Sequence, residues 1–310
     1  MRLRDKVMLV TGVTGTAGDK IARRCVSEGA EVRGLIRNAD QTARCEELGI
    51  TPILGDLTDG AAIKDALQNV SVIIHAAAYL GEDRSIAEAS NIQGVQNLID
   101  GAVSAGVERF VHISTVSVYG HFDQEVELDE ASSLAFGHGE VYIATKCESE
   151  RIVQSAMANG LPSVILRPGV ICSEANSHWG DRLIAKLADS GEVDWIHPED
   201  LTPWVHADNL AEMCVLAATQ PAAVNQCYNA IDGNYPEQDF TMRIGLALNK
   251  KFVIPGGDPI RTAYSCNKIK DELGYSPVQT FEETVARLEQ QARGVLRPNG
   301  EGDRNGHLLP

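Results

Sequence analysis

Lys6-Val7-Met8-Leu9-Val10-Thr11-Gly12-Val13-Thr14-Gly15-Thr16-Ala17-Gly18 is the stretch that decides the fold. Residues 6–11 make an apolar-rich run of strand length, and residues 17–28 carry the apolar spacing of a helix. Three glycines spaced GxxGxxG lie at the junction. Gly12 permits a tight turn, Gly15 lets backbone N–H groups approach a pyrophosphate, and Gly18 lets the helix pack closely on the strand. The helix then directs the positive end of its dipole at the phosphates. Thr14, Thr16 and Ala17 share the turn and are counted with the glycines as cofactor-binding. The competing reading, a purely structural turn, is weakened by the strand before it and the helix after it.

Outward from this turn the pattern repeats. Strands are predicted at 31–36, 51–54, 72–75, 109–114 and 163–167, and helices at 61–68, 86–105 and 140–158. Such alternation implies βαβ units with right-handed crossovers, hence an α/β fold with a Rossmann-type doubly wound parallel sheet. The second half is less regular. It offers helices at 208–218 (Asp208 as N-cap), 240–248 and 281–292, short strands at 226–230 and 251–254, and a loop at Pro255-Gly256-Gly257-Asp258-Pro259. The expected layout is a dinucleotide-binding domain over 1–170, to which 195–220 returns. A small C-terminal substrate-binding cap takes 171–194 and 221–293, and a flexible tail takes 294–310.

Composition narrows the function classes. The 310 residues hold 27 Lys and Arg against 43 Asp and Glu, a net charge of −16, which argues against nucleic acid or an anionic membrane as partner. No apolar run reaches the ~20 residues of a membrane span, and the N-terminus lacks the pattern of a signal peptide. Seven scattered cysteines without a CxxC predict reduced thiols and a cytoplasmic location. No His/Cys cluster predicts a metal. His75, His112 and His206 read as satisfied core histidines.

The end of the second strand, Gly34-Leu35-Ile36-Arg37-Asn38, lacks the carboxylate that commonly binds the ribose hydroxyls of NAD. Arg37 instead offers a guanidinium fork for a 2′-phosphate, so NADP(H) is favoured over NAD(H).

Tyr142-Ile143-Ala144-Thr145-Lys146 lies in a predicted helix, where positions four apart share a face. A phenol with a pKa near ~10 is a poor base at neutral pH, and a nearby cation is expected to lower that value. Lys146 also has the reach for a nicotinamide ribose. Ser114 and Thr115 end the fifth strand at the sheet's C-terminal edge, where a hydroxyl meets a substrate oxygen.

Together these segments resemble the extended short-chain dehydrogenases/reductases, the NAD-dependent epimerase/dehydratase group. The resemblance runs to about Leu288. It implies that Asp56 and Leu57, in Gly55-Asp56-Leu57, contact adenine, and that Ala76, Ala77 and Ala78 line the cofactor. It matches Asn91-Ile92-Gln93-Gly94 to the family's NxxG and counts Asn91 among the cofactor-binding residues. It places Pro168 and Gly169, in Leu166-Arg167-Pro168-Gly169, beside the nicotinamide. It assigns catalysis to Thr115, Tyr142 and Lys146, and implies a homodimer paired through helices 86–105 and 140–158. Trp204–Leu210 and Lys270–Pro277 resemble two further family segments. Two departures stand out. Ser117 occupies the place of the dehydratases' Glu, and no arginine cleanly matches the diphosphate-binding positions of the nucleotide-sugar epimerases, Arg182 and Arg261 being the candidates.

The expectation is reversible hydride transfer between NADP(H) and a small-molecule secondary alcohol or ketone. Alternatives are an epimerase that oxidises transiently and a non-catalytic dinucleotide sensor. Substrate determinants are expected in 173–181 and 229–235.

Overall fold

The computed structural model describes residues 1–120 and 125–295. In chain order the first half runs β1 (Val7–Thr11), α1 (Thr16–Ser27), β2 (Glu31–Ile36), α2 (Thr42–Glu47), β3 (Ile50–Leu54), α3 (Gly60–Ala66) and β4 (Val72–His75). It continues with α4 (Arg84–Ala87), α5 (Gly94–Ala105), β5 (Arg109–Ile113), β6 (Glu127–Leu128), α6 (Val141–Ala158) and β7 (Ser163–Pro168). Then come β8 (Val170–Cys172), α7 (Asp181–Asp189), β9 (Glu192–Val193), β10 (Leu201–His206), α8 (Ala207–Thr219), β11 (Gln226–Ala230) and β12 (Gly233–Pro236). The chain closes with α9 (Thr241–Ala247), β13 (Lys251–Phe252), β14 (Ala263–Tyr264), α10 (Asn267–Leu273) and α11 (Phe281–Val295).

Seven parallel strands form the main sheet in the order β11-β7-β5-β4-β1-β2-β3. Alternate residues of its strands feed two separate cores. Met8, Val10, Ile74 and Val111 face α1 and α8, whereas Leu9, Ile73, Phe110 and Ile165 face α3, α5 and α6. Burial on both faces explains the nearly unbroken apolar runs of these strands. The strand order reverses at β1, between β2 and β4, and such a switch point opens a ligand crevice at the strands' C-terminal ends.

A second lobe is built on the three-stranded sheet β12-β10-β8 and packs α7, α9 and α11 around Trp204, Phe240 and Leu288. The structure corrects the sequence reading here. Residues 226–230, expected in the cap, are β11, the edge strand of the main sheet, paired with β7 from Gln226↔Val164 to Ala230↔Pro168. Leu273 and Tyr275 also join the core of the main sheet. Asp208 does not cap α8. His206 does, its Nδ1 accepting from the Asp208 N–H at 3.2 Å. Gly294 and Val295 close α11 instead of opening a tail, and the rest of that expected tail lies outside the described residues.

His75 is buried and 2.7 Å from Thr11 Oγ1, and burial pushes its pKa down to about 3, so it is neutral. Thr11 Oγ1 also accepts from the Ala77 N–H at 3.2 Å. His112 is only half satisfied. Its Nε2 meets Ser149 Oγ at 3.2 Å, while Nδ1 has no partner among the described residues. Among the described residues no helix is long and apolar enough to cross a membrane, and no group of side chains is arranged to hold a metal.

Candidate active site

A cleft of about 1470 Å³ opens along the C-terminal ends of the main-sheet strands. Gly12, Thr14, Gly15, Thr16, Ala17 and Gly18 line it, as do Arg37, Asp56 and Leu57. So do Ala76, Ala77 and Ala78, then Thr115, Tyr142, Lys146, Pro168 and Gly169.

The glycine turn is shaped by backbone contact. Gly12 has φ +73°, and a Cβ there would lie 2.8 Å from the Ala77 nitrogen. A Cβ on Gly18 would lie 2.0 Å from the Gly12 carbonyl oxygen. Gly15 is the N-cap of α1 and makes no side-chain capping bond, so the first turn of a twelve-residue helix has no side chain of its own capping it. Such a cradle fits a pyrophosphate. Farther along, Arg37 follows β2 and Asp56 follows β3. Hydrogen bonds from Thr58 hold the Asp56 carboxyl below its ordinary pKa, with help from the nearby Arg37 charge.

Tyr142 lies in the first turn of α6 and Lys146 one turn later. Thr115, two residues beyond β5, is extended, and its Oγ1 caps the following turn by accepting from Ser117 N at 3.1 Å. Thr115 Oγ1 donates to Ser117 Oγ at 3.2 Å, and Thr115 and Tyr142 both line the cleft. Ser114 Oγ, beside them on the cleft wall, is buried without a partner among the described residues. That orphaned hydroxyl also fits a site completed by a bound group.

One expectation fails. Burial raises the Tyr142 pKa to about 12, and the neighbouring Thr115 hydroxyl only partly offsets this. The lysine does not lower it, because the Lys146 Nζ is turned to the Ile113 carbonyl at 2.8 Å. Lys146 is itself buried, which pushes its pKa down to about 8 although Glu150 opposes the shift. Glu150 is fixed by a buried pair with Arg167, with Nη2···Oε2 at 2.7 Å, and Arg167 also donates to the Tyr119 hydroxyl at 2.8 Å.

Asn91 does not line the cleft. It sits in a π-helical turn, Glu88–Gln93, between α4 and α5. Its Oδ1 accepts from Tyr79 N at 2.8 Å, and its Nδ2 donates to Tyr79 O and Thr145 Oγ1. It therefore braces the loop after β4 against α6. The substrate side of the cleft is also redrawn. His178 and Trp179 line it as expected, but 229–235 do not, and Leu201, Pro203, Ile260 and Tyr264 take their place. Those residues carry no motif, and only the second lobe's folding brings them to the cleft.

A family model described as the NAD dependent epimerase/dehydratase family matches residues 8–230. A ketoreductase of a farnesylated dihydroquinoline oxide from Stigmatella aurantiaca is 29% identical over 67% of this chain, and the match spans 63% of that relative's length. A 2-alkyl-3-oxoalkanoate reductase from Shewanella oneidensis is 29% identical over 93% of this chain and 74% of its own. Among solved structures, the dTDP-glucose 4,6-dehydratase DesIV from Streptomyces venezuelae, with NAD bound, superposes with a TM-score of 0.79. It is 26% identical and covers 93% of this chain and 97% of that one.

Proposed function

The chain belongs to the NAD dependent epimerase/dehydratase family and is an enzyme of the extended short-chain dehydrogenase/reductase type, and we propose that it reduces a ketone reversibly, with NADP(H) preferred over NAD(H). The observation that carries this reading is the meeting of Thr115, Tyr142 and Lys146 in the same cleft as the glycine turn. Bound there, the dinucleotide supplies a hydride at its nicotinamide. Tyr142, kept protonated by burial, gives its proton to the carbonyl oxygen. Thr115 orients that oxygen. Lys146 holds the ribose. A phenol held neutral up to about pH 12 favours the reductive direction. Arg37, exposed at the end of β2, supports the preference for the 2′-phosphate.

The reading includes a homodimer formed through residues 86–105 and 140–158, where Ile86 and Val103 are exposed. It includes a reducing cytoplasm, in keeping with seven unpaired cysteines. The test is a panel of ketones with NADPH and with NADH. Alcohol formed in step with NADPH consumed supports the proposal. Interconversion of two alcohol epimers on a retained dinucleotide, without net consumption, would contradict it.

A further inference from the structure

We infer that the ketone taken by this site is uncharged and carries an extended apolar body, and is not a nucleotide diphosphate; the inference rests on the hydride-transfer reading above. The substrate wall beyond Thr115 and Tyr142 is mainly apolar, with Val116, Trp179, Leu201, Pro203, Ile260 and Tyr264 upon it, interrupted by Ser117, His178, Thr202 and Thr262. Trp179 is held firmly. It packs edge-on against Trp204 with ring centroids 5.6 Å apart, and Trp204, buried, stacks on Phe240 at 3.8 Å. A wall fixed before binding loses little entropy when a ligand lies against it.

The charges point the same way. Arg37 lies at the far end of the cleft, beside Asp56. Lys146 is turned to the Ile113 carbonyl. The two arginines that the sequence offers for a diphosphate are engaged elsewhere and do not line the cleft. Arg182 donates to Asn176 Oδ1 at 3.0 Å, and Arg261 pairs with Glu199 at 2.7 Å. The ionisable groups that do line the cleft near its mouth include two carboxylates, Glu82 and Glu140, both exposed. A diphosphate brought here would meet negative charge and a mainly apolar surface, with His178 but, among the described residues, no free lysine or arginine to offset its lost hydration. An apolar body instead covers Ile260 and Leu80, which are exposed at the cleft.

Calorimetry on the NADP⁺-loaded protein tests this without turnover. The probes are a series of phenyl alkyl ketones of increasing chain length, with uridine and thymidine diphosphates for comparison. Ketone affinity is expected to rise about three- to fourfold per added methylene over the first few. The diphosphates are expected to bind more weakly than the longest ketone, and Trp179→Ala to weaken that ketone at least about tenfold. Ketone affinity that is flat with chain length, or a diphosphate that binds more tightly than the longest ketone, overturns the inference, and both are read on the wild-type protein. A ketone that binds but drives no NADPH consumption leaves the inference standing and counts against hydride transfer alone.

Discussion

Thr16 and Asn176 lie 160 residues apart in sequence, yet Thr16 Oγ1 donates to the Asn176 carbonyl at 2.6 Å. The Asn176 side chain answers by donating to the Thr14 carbonyl at 3.3 Å. The glycine turn is thus tied to the loop that carries His178 and Trp179, so the two halves of the cleft share one fastening. Asn176 is at φ +54°, a conformation that Asn and Gly tolerate.

Asn176→Gly keeps that backbone and removes only the side-chain bonds. Losing a hydrogen bond of ~1 kcal/mol should raise the KM for the carbonyl substrate about fivefold, with kcat within about twofold. Asn176→Ala, which also strains the backbone, should be worse. Steady-state kinetics decide, and an unchanged KM in both variants removes the coupling.

Arg37 should set cofactor choice. A charge-assisted hydrogen bond is worth about 1.5–3 kcal/mol, so Arg37→Ala should weaken NADPH about 10- to 100-fold. NADH, which lacks the 2′-phosphate, should change little. Fluorescence titration of both nucleotides checks this, and equal weakening of the two contradicts it.

The two directions of the reaction should respond oppositely to pH. Lys146 is charged below about pH 8 and loses its proton above it, so ketone reduction should decline above that value. Alcohol oxidation needs the Tyr142 phenolate, whose pKa is pushed up to about 12, so its rate should climb with pH. Initial rates in both directions across this range give the comparison. Parallel profiles would show that neither group controls the reaction.

Burying the Lys146 ammonium should also cost stability. Its native pKa of about 8 lies below the ordinary 10.5, so between these values the unfolded chain binds a proton that the native state does not. Stability contributed by this group therefore rises with pH through that window, and the full cost is present below about pH 8. Lys146→Met should stabilise the fold at pH 7 by on the order of 1–3 kcal/mol and abolish turnover. Denaturant unfolding at pH 7 and pH 10 should show the advantage shrinking at the higher value.

The main sheet was legible because its strands are buried on both faces, so that 6–11, 72–75 and 109–114 are apolar almost throughout. The glycine turn was legible for a different reason, since Gly12 and Gly18 leave no room for a Cβ. The second lobe was not. Strands β8 and β12 are only three and four residues long and carry no clear alternation, and β10 pairs with both across long sequence separations. The place of 226–230 at the sheet edge depends on another long-range pairing, that of β11 with β7. Asn91 was legible as a motif but not as a brace, because its role depends on the π-helical turn that directs it to Tyr79. The electrostatics of Tyr142 were misjudged because helical spacing places Lys146 on the right face but does not reveal the Ile113 carbonyl that draws its ammonium away.

Tyr142→Phe tests the central claim most directly. It keeps the ring and its packing and deletes the only proton that this scheme delivers to the substrate oxygen. Single-turnover reduction of any accepted ketone by NADPH should fall about 100- to 10,000-fold, with NADPH affinity nearly unchanged. Near-normal reduction by the Tyr142→Phe enzyme would contradict the mechanism.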